Sequence, residues 1–523
     1  MKSVSAAQMR EIDRQMTGDC GVPGEVLMDR AGFGVAECVR RLADAAGFDD
    51  PRIAVFAGRG NNGGDAFVAA RYLREIEMDV EVLFAGDIKA VTGDALVHLR
   101  KLRAAGVTLR VLETMDEWIE LRQSRAWWAD ILVDGLLGTG SRGPARGPVA
   151  GAIEVINVFS EHGLVVAIDL PSGLNADTGI VEGDAVVADL TVTMGLPKNG
   201  LLRPEALEYV GTVEVVDIGI EDELEDTVPA GIELITSRDV AGVLKRRTRR
   251  SHKGSYGHAL LIGGGPGFSG AISLAAMAAC RSGAGLVSVL VPASLAGTVA
   301  VRVPEAMVHA GAINATGSLA GDAMETVFGK DGLAAFSAVL IGPGLTTHPD
   351  GCQLVAAVLR SSVPIVVLDA DALNLVAGEP SLLLGGRSGV ILTPHPGEMA
   401  RLLGSSTAAV ERDRFGAARQ AAERFGSVVV LKGAGTIVAD QAFLTVNLTG
   451  NPGMATGGMG DVLAGLMTGL AAQGLSPFDA ASSAVFLHGC AGDDVARSGS
   501  QAGVTAMAVA DAIPRVFRRV QVR

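Results

Sequence analysis

The sequence predicts an α/β protein made of two three-layer α/β/α domains. Three observations carry this. Short β-branched runs alternate with longer helical patterns, this rhythm breaks once at an acidic segment and then restarts, and the polar motifs sit directly behind the strands. A chain of 523 residues is also too long for one core.

Composition narrows the class. Hydrophobic residues make up 48% and charged residues 20%, which is globular rather than disordered. Aromatics are only 4% while Gly numbers 69, so small residues do much of the packing. The formal net charge of −14 argues against a broad nucleic-acid surface. The one basic run, residues 245–250 (KRRTRR), reads as a solvated linker or helix face. Cys20, Cys38, Cys280, Cys352 and Cys490 show no CxxC pair and no metal-ligand spacing, which fits reduced thiols. The polar, charged N-terminus is not a signal peptide, and no uninterrupted apolar stretch reaches the ~18 residues of a membrane span. The expectation is a soluble cytoplasmic homo-oligomer with small-molecule partners, no nucleic acid and no membrane.

In the first half, residues 53–57 (IAVFA) read as a buried strand. A Gly-rich turn follows, then a helix over 66–78 with Phe67, Ala70, Leu73 and Ile76 on one face. Further strands are expected at 80–84, 131–133, 164–168, 190–194 and 213–216. Residues 220–230 (IEDELEDTVPA) are acidic, contain Pro229 and lack apolar periodicity. They separate a first domain, 1–222, from a second, 232–523. The second half has strand patterns at 258–262, 286–291, 338–341, 365–368, 389–392 and 428–431, with Ala-rich helices between them. Such alternation implies mostly parallel sheets covered on both faces.

Three polar loops of the first half follow strands: 58–65 (GRGNNGGD), 134–144 (DGLLGTGSRGP) and 169–173 (DLPSG). Loops at the carboxyl ends of parallel strands converge on one crevice, so the three are expected to share a site. The glycines let backbone N–H groups approach a ligand, and the following helix offers its positive end to phosphate. Asp134, the Asn62 amide and the Ser172 hydroxyl are hard oxygen donors, suited to an alkali or alkaline-earth cation rather than zinc. Asp169 ends a buried strand and suits general acid/base work. The bland alternative is that Asp134 and Asp169 cap turns. Residues 58–63 also match GxGxxG, a weak signal for a dinucleotide-binding oxidoreductase. No ribose-binding acid ends the second strand, where Asp87 lies just beyond.

The order NNGGD, then the Asp134 loop with GTG, then DLPSG resembles the NAD(P)H-hydrate epimerase family over about residues 1–220, including 195–198 (GLPK). The resemblance implies a Rossmann-like domain that interconverts the R and S forms of hydrated NADH and NADPH (NADHX and NADPHX). By the same resemblance, Asn61, Asn62, Gly63, Gly64, Asp65, Gly138, Thr139, Gly140, Ser141, Arg142, Gly143 and Pro144 bind the substrate. Asn62, Asp134 and Ser172 hold K⁺, and Asp169 contacts the hydrated ring and moves its protons. Ala66 departs from the family's usual Gly; it is expected at the helix start, with little effect.

In the second half, polar motifs again sit at strand ends: 263–271 (GGGPGFSGA), 342–345 (GPGL), 369–374 (DADALN), 393–398 (TPHPGE) and 432–436 (KGAGT). Residues 451–461 (NPGMATGGMGD) then open an apolar helix over 462–470. Gly457, Gly458 and Gly460 place bare N–H groups at a helix start, an anion cradle. Asp461, in the first turn, is placed to take a proton from a substrate hydroxyl beside a transferring phosphoryl group. No GxxxxGK[ST] and no HRD or DFG set is present, which excludes P-loop and protein-kinase readings. His395, between two prolines, is weighed as a substrate contact against a structural role. Lys253 is weighed as a phosphate ligand against a linker residue.

These motifs, with 252–264 (HKGSYGHALLIGG), resemble the ADP-dependent NAD(P)H-hydrate dehydratase family over about residues 235–515. The resemblance implies a ribokinase-like domain that dehydrates the S form to NADH or NADPH, converting ADP to AMP and phosphate with Mg²⁺. It assigns Ala271, Gly344, His395 and Asp461 to the hydrated nucleotide. Lys432, Gly433, Ala434, Gly435, Thr436 and Gly460 go to the adenine nucleotide. The residues themselves leave ADP or ATP open. Rival readings are a vitamin or sugar kinase for the second half and a non-catalytic ligand-binding module for the first.

Overall fold

The computed structural model describes residues 1–521 except 125, 230, 331, 385 and 386. The chain forms two compact units, Lys2–Ile232 and Glu233–Arg523, the latter joined by Met1.

The first unit is built on seven strands: β1 (Arg52–Ala57), β2 (Asp79–Ala85), β3 (Thr108–Leu112), β4 (Ile131–Gly135), β5 (Leu164–Ile168), β6 (Leu190–Met194) and β7 (Thr212–Val216). Their order is β3-β2-β1-β4-β5-β6-β7, and every neighbouring pair is parallel. Strand order reverses between β1 and β4, the kind of crevice where open α/β sheets bind ligands. The central strands are apolar on both faces because helices cover both: β4 and β6 are buried throughout. Strand β3 escaped the sequence reading. It is an edge strand with Thr108 and Arg110 exposed, so it lacks the continuous apolar run that marks its neighbours.

The second unit carries ten strands: β8 (Glu233–Leu234), β9 (His258–Ile262), β10 (Leu286–Pro292), β11 (Met307–Gly311), β12 (Ala338–Ile341), β13 (Ile365–Leu368), β14 (Val390–Leu392), β15 (Val428–Leu431), β16 (Thr436–Ala439) and β17 (Leu444–Asn447). The order is β11-β10-β9-β12-β13-β14-β15-β16-β17-β8. Strands β11 through β15 run parallel, and β15-β16-β17 form an antiparallel extension. The unpredicted strands β8, β11, β16 and β17 all lie toward the sheet edges.

Small residues let the covering helices approach closely. The helices Ser269–Arg281 and Met459–Ala472 pack so tightly that a Cβ on Gly465 would fall 2.0 Å from the Ala275 carbonyl oxygen. The glycine-rich, aromatic-poor composition finds its use here.

Two expectations need correction. The helix expected over 66–78 is Asn61–Glu75, so residues 61–65 are its first turn and not a free loop. Ala66 is therefore a buried mid-helix residue, not the helix start. The motif glycines disguised the helix, because Gly carries low helix propensity.

Candidate active sites

In the first unit, a cavity of about 1110 Å³ opens at the carboxyl ends of β1, β4 and β5. All three loops contribute to it. Asn61, Asn62, Asp65, Gly138, Thr139, Gly140, Ser141, Pro144 and Asp169 line it, and so do Asp13 and Lys198. Gly63 and Gly64 do not. A Cβ on Gly63 would fall 1.8 Å from the Gly58 carbonyl oxygen, and one on Gly64 2.4 Å from the Met28 sulfur. These glycines serve chain packing, not ligand approach. Arg142 and Gly143 are likewise outside the lining residues.

Behind the cavity wall, Asp134 is wholly buried at the end of β4. Its carboxylate accepts from the Ser172 hydroxyl at 2.6 Å, the Ser172 N–H at 2.8 Å and the Leu136 N–H at 3.1 Å. Burial nevertheless pushes its carboxyl up to about 6, against those hydrogen bonds. Asn62 donates to the Leu137 carbonyl at 2.8 Å, while its own side-chain oxygen is buried and accepts nothing. Ser172 accepts from the Leu137 N–H at 2.9 Å. Asn62 and Ser172 thus meet at Leu137, and Ser172 links that point to Asp134. Among the described residues, no cluster of three His, Cys, Asp or Glu side chains suits a metal ion.

Asp169, directly behind β5, adopts a left-handed backbone with φ of 67°, a conformation that non-glycine residues keep only when the surroundings impose it. Here the constraint is an ion pair with Lys198, whose side chain is 2% exposed. Thr193 donates to Asp169 at 3.2 Å, and Lys198 also donates to the Met194 carbonyl at 3.0 Å. Asp13, Asp65, Asp87 and Asp94 also line the cavity. Burial and the charge of Asp169 hold Asp65 well above the usual carboxylate range, against Lys198. Burial raises Asp13 to about 6, opposed by Lys198 and assisted by Asp169.

In the second unit, the corresponding arrangement spans the ends of β13, β14 and β15. Asp369, 1% exposed, accepts on one carboxylate oxygen from both Thr393 Oγ1 and Lys432 Nζ, each at 2.7 Å. Lys432 Nζ also lies 3.8 Å from Glu398. Burial pulls the lysine's pKa down, but Asp369, Glu398 and Asp461 together carry it above its ordinary value. Asp461 sits in the first turn of Met459–Ala472. Burial, then the charges of Asp369 and Asp371, push its carboxyl up to about 7 against the pull of Lys432.

The glycine turn before Asp461 is wedged on two sides. A Cβ on Gly458 (φ 90°) would meet Leu274 Cδ1 at 2.6 Å, whereas one on Gly460 would stand 3.5 Å from Lys432 Nζ. Asp493 holds the approach to this turn by accepting from Gly450 N–H at 3.0 Å and Asn451 Nδ2 at 2.9 Å. Ala271 lies near the start of Ser269–Arg281. Gly344 (φ 64°) is pressed against Phe268, its absent Cβ 2.7 Å from that residue's Cβ.

Residues 432–436 follow β15, as the sequence suggested. They are the turn joining antiparallel β15 to β16, with Thr436 already in β16 and its hydroxyl donating to the Gly433 carbonyl at 2.8 Å. The Lys432 side chain points inward to Asp369. His395 caps the helix Pro396–Leu403, its Nδ1 accepting from Gly397 N–H at 3.0 Å and Glu398 N–H at 3.4 Å. Desolvation, then the positive charges of Lys432 and Arg401, lower its pKa below the ordinary imidazole value, against the pull of Asp369. Lys253 is exposed in a short 3₁₀ turn, and residues 245–250 are exposed throughout.

Comparison with known proteins assigns both units. Residues 259–515 match the family described as NAD(P)H-hydrate dehydratase, and residues 24–200 match the family described as YjeF-related protein N-terminus. A bifunctional NAD(P)H-hydrate repair enzyme of Moorella thermoacetica is 40% identical over 523 residues, covering 100% of this chain and 97% of the relative. Another, of Coxiella burnetii, is 39% identical over 501 residues, covering 95% and 96%. The chain belongs to the bifunctional NAD(P)H-hydrate repair enzymes. Its two halves are the epimerase and dehydratase domains of that family. The crystal structure of a ribokinase-like superfamily protein from Enterococcus faecalis matches 56% of this chain and 98% of that chain, with 29% identity and a TM-score of 0.50. The dehydratase domain is accordingly ribokinase-like. No described helix is long and apolar enough to cross a membrane.

Sequence reading of the epimerase domain gave no role to Lys198, quoted only within GLPK, or to Asp13, both of which line its cavity. Lys198 follows a Pro just behind β6, a strand-end position that could have flagged it. Asp13 lies on an N-terminal helix outside the strand–loop series, and nothing in its local pattern marks it.

Proposed function

We propose that the protein drains both forms of NADHX and NADPHX back to NADH and NADPH. In the dehydratase domain, Asp461 takes the proton of the hydroxyl on carbon six of the S form, and the freed oxygen attacks the terminal phosphorus of ADP, releasing AMP. Phosphate then departs from carbon six as carbon five loses a proton, which restores the ring double bond. The carrying observation is a carboxyl brought to about 7 at a glycine-lined helix start, beside a buried lysine. A base near neutrality and an anion cradle are what this phosphoryl transfer needs.

Ala271, Gly344, His395 and Asp461 form the hydrated-nucleotide subsite in this reading, and residues 432–436 with Gly460 the ADP subsite. The inward turn of Lys432 supports a contact with phosphate more than with adenine. The carboxylates Asp369, Glu398, Asp461 and Asp371 outnumber Lys432, which fits a hard Mg²⁺ accompanying the ADP phosphates.

In the epimerase domain, Asp169 moves protons at carbon six while the lining loops hold the nucleotide. The unpartnered Asn62 oxygen, the buried Asp134 carboxylate and Ser172 fit K⁺, whose charge would tie the loops together and attract a substrate phosphate. The assignment of 1–222 to epimerisation and 232–523 to dehydration, a cytoplasmic location and a homo-oligomeric state complete the reading.

The test is one assay: purified protein and an R/S hydrate mixture, with and without ADP or ATP. Nucleotide-dependent recovery of NADH in a fast phase and a slow phase is expected, with free phosphate released. A stable phosphorylated product would instead identify a small-molecule kinase.

A further inference from the structure

The epimerase cavity contains a carboxyl that the motif residues leave without a role. Asp13 lies on the helix Ala6–Gly18, which buries Ala6, Met9, Ile12 and Met16 against the unit. Asp13 stands one turn after Met9 on that same face, where it lines the cavity together with Asp169 and Lys198 and is reached by solvent through it. The helix is fixed to the site by its own entry segment. Val4 forms a parallel bridge with Lys198, donating to the Pro197 carbonyl at 2.9 Å and accepting from the Asn199 N–H at 2.8 Å. The Ser5 capping box and a 2.7 Å bond from Ala6 N–H to Asp177 then set the helix direction. The segment that carries Asp13 is therefore anchored on the backbone of the lysine that pairs with Asp169.

The chemistry of inversion calls for such a second group. Carbon six bears the hydroxyl and is bonded to the ring nitrogen, whose lone pair can expel it. For R to become S, the C–O bond must break on one face and a new one form on the other. The departing hydroxyl needs a proton donor on its face to leave as water. The incoming water needs a proton acceptor on the opposite face. Because the reaction runs in both directions, the two groups exchange roles, as the two carboxyls of an inverting glycosidase flank their water. Asp65 shares the cavity, but burial and the charge of Asp169 raise its carboxyl well above the usual carboxylate range, which disfavours the charged form that accepts a proton. Asp13 stays close enough to neutrality to serve as either donor or acceptor.

Building on the epimerase reading above, we propose that Asp13 is a catalytic residue of this domain, the acid–base partner of Asp169 on the other face of the hydrated ring. In one direction the Asp13 carboxyl gives its proton to the leaving hydroxyl and the C–O electron pair departs with the water. Solvent water then adds to the opposite face of the resulting iminium and yields its proton to Asp169. In the reverse direction the proton travels from Asp169 to Asp13.

The experiment uses the full-length protein, R-enriched NADHX and ADP, reading NADH recovery from the R form. Asp13→Asn is expected to slow this phase roughly 100-fold or more, and Asp13→Glu, which keeps a carboxyl, to recover at least about tenfold of that. In ¹⁸O water the unmodified protein is expected to introduce one solvent oxygen per inversion, above the enzyme-free exchange. Unchanged R-form recovery in Asp13→Asn overturns the proposal. So does inversion by the unmodified protein without solvent oxygen, a readout that stands even if Asp13→Asn fails to fold. An unmodified protein with no R-form recovery at all would remove the epimerase reading itself, a result distinct from both.

Discussion

In the epimerase domain, Asp169 behind β5 meets Thr193 on the next strand and Lys198 from the loop after it. In the dehydratase domain, Asp369 behind β13 meets Thr393 behind the next strand and Lys432 behind the strand after that. The same Asp–Thr–Lys trio has thus been assembled at the strand ends of two different folds. What differs is the neighbouring carboxyl. Asp13 comes from a helix outside the strand series, whereas Asp461 sits in the first turn of a helix that itself covers the sheet. A helix start favours a charged carboxylate by about 0.3–1 kcal/mol. Yet Asp461 has moved from 3.8 to about 7, on the order of 4 kcal/mol against its charged form. Burial and the like charges of Asp369 and Asp371 outweigh the helix dipole there. The lesson is that the trio fixes one charge pair, and the burial around it decides which neighbouring carboxyl keeps a proton near neutrality.

The largest expected effect tests this division directly. Asp461→Asn should lower nucleotide-dependent NADH recovery by roughly 10³-fold or more while R/S exchange continues. Asp169→Asn should do the reverse, with chromatography of the two epimers as the readout. If either folded variant lost both activities, the two-site comparison would fail. The sign of the pH response follows from the raised pKa. Asp461 must be ionised to accept a proton, so dehydration should rise with pH up to about 7. At pH 6 roughly one enzyme in ten would be active. Asp369 and Asp371 oppose ionisation of Asp461 and Lys432 favours it, so Asp369→Asn should move the inflection toward acid.

Legibility in the sequence followed the same divide. Buried central strands such as β5, β9, β12, β13 and β15 were read at their observed limits, because parallel strands covered on both faces are continuous apolar runs. Edge strands β3 and β11 carry no such run, and in the hairpin β16–β17 it is cut short, to Ile437, Val438 and Ala439 in β16 and by Thr445 and Asn447 in β17. Asp134, Asp169 and Asp461 were visible because each stands at a strand end or helix start where backbone geometry dictates position. Asp13 and the inward turn of Lys432 were not, since each depends on contacts between segments distant in sequence.

A middle-sized effect separates the two trios by burial. Asp369 is 2% exposed in its side chain and Asp169 is 14%, opening on the cavity. Lys432→Met leaves the deeper aspartate without a counter-ion and should cost the dehydratase domain about 3 kcal/mol, seen as a lower unfolding midpoint. Lys198→Met strands an aspartate that water can reach and should cost clearly less. Equal losses would mean that the two pairs share one dielectric environment, and the contrast drawn from burial would be wrong.

The glycines look alike in the two motifs and act differently, and the smallest effect belongs to one of them, Gly460. Gly63 cannot become Ala without driving a Cβ to 1.8 Å from a backbone oxygen, so that substitution should unfold the epimerase domain. Gly460 meets only Lys432 Nζ, at an ordinary 3.5 Å, and does not have a positive φ. Gly460→Ala should therefore leave the unfolding midpoint unchanged or raise it, since Ala favours a helix over Gly by roughly 0.5–1 kcal/mol. The methyl group would still occupy the space facing Lys432 where ADP phosphate is proposed to lie. KM for the nucleotide should then rise several-fold with kcat little altered, as expected when binding is lost equally from ground and transition states. A stable variant with unchanged KM would show that Gly460, like Gly63, is small for the protein's packing and not for its ligand.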